Sequence, residues 1–216
     1  MPARDGLLKH HKTHKMQVFS KEADTDYPIH DLLRRRWSPR AFSSEAVEDE
    51  KLRRLFEAAR WAPSASNQQP WRFIIGRKGD DTYDRIIQTL VDFNQKWAVT
   101  APVLLISVGR KVLNDKEDIN ESYRYDVGLA VAQIAIQATE EGLYIHQMGG
   151  FDPAMAVRLF NIPAMYKPLT VIAIGYIGNP EVLPEKLEAL EYKKRERFPA
   201  SSFVFSGHFG EADKLF

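Results

Sequence analysis

Four short apolar runs alternate along this chain with helical segments, and that order constrains the fold more than any other feature of the sequence. The helical pattern is clearest over residues 47–61, where Leu52, Leu55, Phe56 and Ala59 recur at i, i+3, i+4 and i+7. Further helices are predicted from Ile29, over 83–97 and 123–141, and from Pro153 and Pro184, and strands over 71–76, 103–108, 143–148 and 169–178. This order predicts an α+β or α/β layered structure around a sheet of four or five strands.

The composition is that of one soluble domain. The chain has 216 residues, of which 44% are hydrophobic and 27% charged, so it is long enough to bury a sizeable core. Its formal net charge of +1 gives no field that favours nucleic acid or a membrane. The lack of Cys excludes disulfides, iron–sulfur clusters and thiolate chemistry. Because no apolar run approaches the roughly 20 residues that span a bilayer, and no secretory signal is present, we expect a cytoplasmic protein.

The two ends of the chain differ from its middle. Residues 1–27 carry scattered charges and little periodicity, which predicts an arm that is flexible or contacts a partner subunit. His10, His11 and His14 lie close together there without a carboxylate or Cys at useful spacing, so a solvated basic tail is favoured over a metal site. The last residues, 199–216, contain four phenylalanines, and we expect them to pack on another surface.

A polar loop interrupts the sequence AARWAPSASNQQPWRF, residues 58–73. Pro63 cannot continue the preceding helix, and the serines, asparagine and glutamines that follow it can both donate and accept hydrogen bonds. A planar polar heterocycle would need such groups. A surface loop with local turn bonds is the simpler interpretation of these residues alone.

Arginines cluster in the stretch IHDLLRRRWSPRAF, residues 29–42. Three consecutive arginines, then Ser38 and Arg40, surround a break made by a proline. Guanidinium groups and hydroxyls are what a phosphate monoester needs, although arginines at a helix end also favour the helix dipole. Gly149 and Gly150 follow a predicted strand and would let backbone approach a flat ligand, or would simply form a turn. Neither GxGxxG nor GxxxxGK[ST] is present, which argues against a Rossmann site and a P-loop.

Three stretches in this order, RRRWSPRAF, APSASNQQPWRF and GLYIHQMGGFD, resemble the FMN-dependent nitroreductase family. The likeness covers roughly residues 29–199. It implies an α+β three-layer sandwich with a central sheet of four to five strands, and an intertwined homodimer with FMN at the interface. Residues 28–199 would form the FMN-binding domain, the helix 123–141 would be the central dimer helix, and 200–216 would be an arm on the partner subunit.

The resemblance also implies roles for individual residues. The positions matching the family's phosphate and ribityl contacts are Arg36, Trp37, Ser38, Arg40, Arg195 and Arg197. The positions matching a loop that lines the isoalloxazine from the partner subunit are Pro63, Ser64, Ala65 and Asn67. The positions matching the backbone that faces the ring's reactive edge are Gln147, Met148, Gly149 and Gly150, and those matching its pyrimidine edge are Asn94 and Lys96. Many relatives carry Glu where Gly149 stands, so any contribution from that side chain is lost here. No catalytic side chain and no metal ligand are implied.

The implied activity is that of an FMN-dependent NAD(P)H oxidoreductase reducing nitroaromatics, quinones or similar acceptors by a ping-pong mechanism. Members of the same family that remove halogen reductively or fragment flavin with oxygen provide an alternative, and a flavin-binding protein without turnover is a second. The candidates for the acceptor pocket, which are equally well explained as core aromatics, are Phe93, Trp97, and either Tyr123 or Tyr125. No nucleic acid or membrane partner is expected.

Overall fold

An antiparallel sheet of four strands forms the centre of the structure, a computed structural model that describes residues 21–113 and 118–216. The strands are β1 (Trp71–Arg77), β2 (Val103–Arg110), β3 (Tyr144–Met148) and β4 (Tyr166–Gly175). Their order across the sheet is β1-β2-β4-β3, and all three pairings are antiparallel. β3 therefore lies at an edge of the sheet. All four predicted strands are confirmed. β1 and β2 begin at the predicted residue, β3 begins one residue later, and β4 begins and ends three residues earlier than predicted.

The helices of the described residues cover both faces of this sheet. They are α1 (Asp31–Arg35), α2 (Asp49–Arg60), α3 (Asp81–Thr89), α4 (Asp92–Ala98), α5 (Tyr123–Glu140), α6 (Pro153–Leu159) and α7 (Glu185–Tyr192). Short 3₁₀ turns occupy Ala65–Asn67, Pro180–Val182 and Ala200–Ser202. The predicted α+β architecture is confirmed.

Two hydrophobic cores lie on opposite faces of the sheet, because β2 is buried on both sides. Leu104 and Ile106 pack in one core, with side chains of α3, α4, α6 and α7. Leu105 packs in the other core, with side chains of α2 and α5. This alternation explains why β2 is a continuous apolar run in the sequence, as strands covered on both faces usually are. The result is a sandwich of helices, sheet and helices.

The long helix α5 begins at the predicted residue and ends one residue earlier than predicted. Gly142 follows it with φ of +73°, and the Leu143 amide donates to the Ala138 carbonyl at 2.7 Å, which closes the helix end. One side of α5 lies in the core. The other side keeps Tyr125 and Gly128 exposed, so a helix with little polar surface presents part of itself to solvent in the single chain.

Two helix boundaries differ from the prediction. Residues 83–97 form two helices instead of one, because Leu90 leaves helical angles to bridge Phe151 and the Val91 amide donates to the Gly150 carbonyl. The helix near the C-terminus ends at Tyr192, and Lys193 is already extended, with ψ of 131°. Both differences bring functional candidates together, as described below.

The C-terminal segment folds back on itself. Phe205 forms an isolated bridge with Ala212 and packs on Phe209 at 5.1 Å between ring centroids. Phe209 is nevertheless 96% exposed, and Phe203 is also exposed. The expectation that this segment packs on a partner subunit stays a prediction.

Within the part of the chain that is described, no helix is long and apolar enough to cross a membrane. Nor do those residues contain a group of three or more His, Asp or Glu side chains able to hold a metal ion. The histidines His10, His11 and His14 lie outside the described residues.

Candidate functional site

A cavity of about 170 Å³ lies between the segment that follows α1 and the segment that follows α7. We call it the basic pocket. Its lining consists of Lys21, Arg36, Trp37, Ser38, Arg40, Leu190, Glu191, Arg195 and Arg197. All six residues that the sequence predicted for the phosphate end of a flavin are therefore brought together, from two stretches about 155 positions apart.

The segment carrying Ser38 and Arg40 is held from two sides. The Arg40 amide donates to the Glu191 carboxylate at 2.9 Å, and the Arg40 guanidinium lies 3.5 Å from the same carboxylate. From the other side, His146 on β3 donates through Nδ1 to the Pro39 carbonyl at 2.8 Å. Glu191 is almost fully buried at 1% exposure, so it acts as an internal anchor for this segment.

The basic pocket holds more positive charge than its own carboxylate can balance. Lys21, Arg36, Arg40, Arg195 and Arg197 contribute five cations against the single Glu191. Burial lowers the pKa of the Arg36 guanidinium, and Arg197 lowers it further. Burial likewise lowers the pKa of Arg195, with Arg36 and Arg197 adding to the shift. These guanidinium groups repel one another, which an anion in the pocket would relieve.

A phosphate fits this arrangement. The Nε of Arg40 is buried and has no hydrogen-bond partner among the described residues. An unpaired buried donor is unfavourable by roughly 1–3 kcal/mol, more when it is charged. Phosphate oxygens are acceptors of the kind that a guanidinium group and a serine hydroxyl satisfy. The pocket is thus suited to the phosphate of FMN.

The turn after β3 is built so that one glycine is packed and the next is open. The Asn94 amide donates to the Gly150 carbonyl at 2.9 Å, and its oxygen accepts from the Trp97 indole at 3.3 Å. A Cβ on Gly150 would lie 2.8 Å from the Asn94 nitrogen, whereas a Cβ on Gly149 would meet nothing within 4 Å. The Asn94 side chain therefore stabilises the turn. Lys96 is exposed on α4.

A larger cavity of about 580 Å³ borders this turn. Its lining consists of Arg124, Val127, Gly128, Val131, Gln147, Gly149, Phe151, Pro153, Lys167, Pro168, Leu169 and Thr170. Two of the four predicted ring-facing residues, Gln147 and Gly149, are in it, while Met148 is buried in the core. β3 connects the two cavities, since Tyr144 at its start packs on Trp37, with 5.9 Å between ring centroids.

The polar loop after α2 is strained. Ser66, Asn67 and Gln69 have φ of 48°, 53° and 46°, a left-handed region that disfavours residues with a Cβ by roughly 1–2 kcal/mol each. The Ser64 hydroxyl accepts from the Gln69 amide at 3.0 Å, and the buried Asp126 carboxylate accepts from the Ala65 amide at 3.3 Å. Such strain clusters at functional loops.

None of the residues predicted on this loop lines the basic pocket or the larger cavity, as far as the chain is described. They are Pro63, Ser64, Ala65 and Asn67. All but Ser64 are exposed. Their predicted role is to reach the flavin of a partner subunit, so it stays a prediction.

The four aromatic candidates for an acceptor pocket separate into two pairs. Trp97 is fully buried against the His146 ring, with 4.4 Å between centroids, and Tyr123 is 8% exposed. These two belong to the core. Phe93 and Tyr125 are exposed and stay candidates for the wall of an acceptor pocket.

His146 gives the first testable prediction. Burial lowers its pKa to about 4, against 6.5 for the ordinary side chain, so the folded chain keeps it neutral while the unfolded chain takes up a proton below pH 6.5. Stability should therefore fall by about 2 kcal/mol as the pH drops from 7 to 4.5. Urea unfolding across this range measures it. In His146→Asn, whose amide can still donate to Pro39, this part of the acid slope should disappear; an unchanged slope would assign it to other groups.

The residues that sequence reasoning missed are Lys21 and Glu191. Lys21 lies in the segment predicted to be an arm, and Glu191 lies in the helix predicted from Pro184, with no role assigned to it. Neither position carries a local signal, because only the tertiary contact between the two ends of the chain gives it meaning.

Comparisons with known proteins agree with this fold. Residues 33–92 match the nitroreductase family. A solved structure described as an oxidoreductase containing FMN is 34% identical and has a TM-score of 0.83. The match covers 90% of this chain and 99% of the chain in that structure. An uncharacterized 15.4 kDa protein in the ask 5′ region of Mycolicibacterium smegmatis is 30% identical over 149 residues, which is 64% of this chain and 97% of that protein.

Other relatives differ in the reactions that their names describe. A Streptomyces coelicolor protein provisionally named NADH dehydrogenase/NAD(P)H nitroreductase is 25% identical and matches 65% of this chain and 78% of its own. The 5,6-dimethylbenzimidazole synthase of Rhodospirillum rubrum is 24% identical over 78% of this chain and 90% of its own. Iodotyrosine deiodinase 1 of Sus scrofa is 26% identical over 73% of this chain and 64% of its own.

Proposed function

Because the chain belongs to the nitroreductase family, we propose that it is an FMN-dependent oxidoreductase that takes electrons from NADH or NADPH and reduces small oxidised acceptors such as nitroaromatics and quinones. The basic pocket carries the proposal. Its lining contains Ser38, five cations and a single carboxylate. The buried Nε of Arg40 lacks a hydrogen-bond partner among the described residues. A phosphate dianion offsets part of that excess positive charge and supplies the missing acceptor.

Each part of the chain has a distinct task in this proposal. Arg36, Ser38, Arg40, Arg195 and Arg197 would hold the phosphate, and Trp37 would border the ribityl chain. The open backbone at Gly149 would face the ring. FMN, when bound, supplies the hydride-transfer chemistry, while the protein supplies orientation and a site from which water is excluded. No side-chain acid or nucleophile is needed.

The order of substrate binding follows from a shared surface. The larger cavity beside Gly149 is the space for both the nicotinamide and the acceptor, so we expect them to occupy it in turn. Steady-state double-reciprocal plots should then be parallel. Intersecting lines would mean that donor and acceptor are bound together, contrary to a single shared cavity.

The absorption spectrum of the purified protein tests the cofactor and the electron donor. We expect a yellow protein with flavin bands that bleach when NADH or NADPH is added without oxygen. Comparing the two donors identifies the preferred one. A colourless protein that also fails to take up added FMN would overturn the proposal, and a yellow protein that neither donor bleaches would instead be a flavin-binding protein without this activity.

A different reaction on the same cofactor is the second candidate, and it is favoured by the relatives named as a 5,6-dimethylbenzimidazole synthase and a deiodinase. The test compares acceptors under otherwise equal conditions. Rapid turnover with a nitroaromatic or a quinone supports the first proposal. Release of halide from a halogenated phenol, or loss of the flavin spectrum in oxygen, supports the second.

We further propose a homodimer that joins through the exposed side of α5, and Gly128 makes this testable. A Cβ on Gly128 would meet nothing within 4 Å in one chain, and Gly in a helix interior is unfavourable by about 1 kcal/mol relative to Ala. Gly128→Leu should therefore not destabilise a lone chain. It should weaken dimerisation at least tenfold, measured by sedimentation equilibrium, because a close helix contact has no room for the side chain.

The control is Arg53→Leu, which also adds an apolar side chain to an exposed helix position, on α2. It should leave the association constant unchanged. A Gly128→Leu protein that associates as tightly as the original would place the interface elsewhere.

A further inference from the structure

We propose that residues 21–24 place the Lys21 ammonium in the flavin phosphate site, as an additional cation for the phosphate. The motif RRRWSPRAF, which contains Arg36 and Arg40, begins after residue 24, so it gives no indication of a role for Lys21. The inference rests on the proposed function, since it concerns how this chain holds the same cofactor. It is carried by the contacts that fix the segment and by where Lys21 lies.

The segment is attached to the C-terminal side of the pocket. The Arg195 guanidinium donates to the Lys21 carbonyl at 2.7 Å and to the Arg34 carbonyl at 3.2 Å. One residue before Arg195, the Lys194 ammonium pairs with Asp24 at 3.0 Å. Arg195 is therefore oriented by the backbone of the segment.

The segment is also attached to α1 on the other side. The Ala23 amide donates to the Arg34 carbonyl at 2.8 Å, and the Arg34 guanidinium pairs with Glu22. These contacts, together with those of Arg195 and Lys194, hold four consecutive residues across the gap between α1 and the end of α7. The segment thus fixes Lys21, the one of these four residues that lines the pocket, between α1 and the end of α7.

Lys21 itself points into this pocket. Its side chain lines the cavity, and its ammonium lies 5.1 Å from the centroid of the Trp37 ring. Burial lowers its pKa, and the nearby Glu191 partly offsets that shift by favouring the charged form. A phosphate in the pocket would favour the charged form further. The Lys21 ammonium and the Arg36 and Arg40 guanidinium groups would then surround one anion.

The test is the affinity of the apoprotein for FMN and for riboflavin, measured by quenching of flavin fluorescence. Riboflavin lacks the phosphate, so it reports all contacts except those to the anion. Lys21→Ala should weaken FMN binding about tenfold, as expected for one lost bond to a charged group, and should leave riboflavin binding unchanged. It should also reduce the salt dependence of FMN binding. Lys21→Arg should restore part of the loss.

Lys186→Ala on α7 is the matched control, because it removes one exposed lysine outside the pocket. It should change neither affinity. Equal losses for FMN and riboflavin in Lys21→Ala would overturn the inference, since Lys21 would then act through packing on Trp37. Unchanged FMN binding would overturn it too. Failure of the original chain to bind FMN overturns the proposed function itself, and the two failures are thereby distinct.

Discussion

Replacing Arg36 with alanine is expected to weaken FMN binding about 100-fold while leaving the apoprotein as stable as before, or slightly more stable. Arg36 is partly buried beside Arg195 and Arg197, and its pKa is lowered by burial and by the repulsion of Arg197. In the absence of an anion this charge opposes folding. With phosphate bound it becomes a charge-assisted contact worth up to about 3 kcal/mol, which corresponds to roughly 100-fold in affinity.

Flavin titration and thermal unfolding of the apoprotein check the two parts of this prediction. Arg53→Ala is the control, because Arg53 is 72% exposed on α2 and pairs only at the surface with Glu50 among the described residues. It should leave affinity and melting temperature unchanged. If Arg36→Ala lowered the melting temperature by several degrees, Arg36 would be a structural residue and its loss of affinity would not count as loss of a phosphate contact.

Replacing Glu191 with alanine is expected to cause a large loss of stability, in contrast to Arg36→Ala. This 1%-exposed carboxylate accepts from the amides of Arg40 and Ala41 and lies beside the Arg40 guanidinium. Its removal leaves the partly buried Arg40 guanidinium and two amides without their partner. Breaking a buried pair in this way destabilises a protein by about 3–5 kcal/mol, and we expect about 3 kcal/mol because Arg40 stays partly solvated. The melting temperature should fall by about 10 °C.

Glu185→Ala in the first turn of the same helix is the control. Glu185 is exposed, so its removal should cost less than about 1 kcal/mol through the helix dipole alone. FMN should raise the melting temperature of Glu191→Ala more than that of the original chain, because phosphate then provides the missing negative charge. Equal melting temperatures for Glu191→Ala and Glu185→Ala would show that Glu191 is not an anchor.

The regular elements could be predicted because their signals are local. The stripe of α2 and the apolar run of β2 each report how that segment is buried, and both have the expected bounds within two residues. The break between α3 and α4 could not be predicted this way. Leu90 fits the helical pattern, and it leaves the helix only because Phe151, 61 positions later, offers a bridge.

The residues of the site likewise divide into those with a local sequence signal and those that only a tertiary contact identifies. Arg36, Ser38 and Arg40 were identifiable because they lie in one short motif that resembles the family's, and the glycine pair because it follows a strand directly. Lys21 and Glu191 act through partners more than 100 positions away, so their types and spacing say nothing about the pocket. Asn94 was identified, and the structure assigns its amide to supporting the Gly150 turn.

The basic pocket is assembled from stretches far apart in the chain, and this has a consequence for biosynthesis. Lys21 and Arg36 leave the ribosome before any strand of the sheet, but Arg195 and Arg197 follow all four strands. No nascent chain that ends before Arg197 can present the complete pocket, however well its sheet has formed. A cofactor that binds only the completed pocket stabilises chains that include Arg197 by mass action and leaves shorter ones without that support. The phosphate site thus distinguishes chains synthesised past Arg197 from those that stop before it.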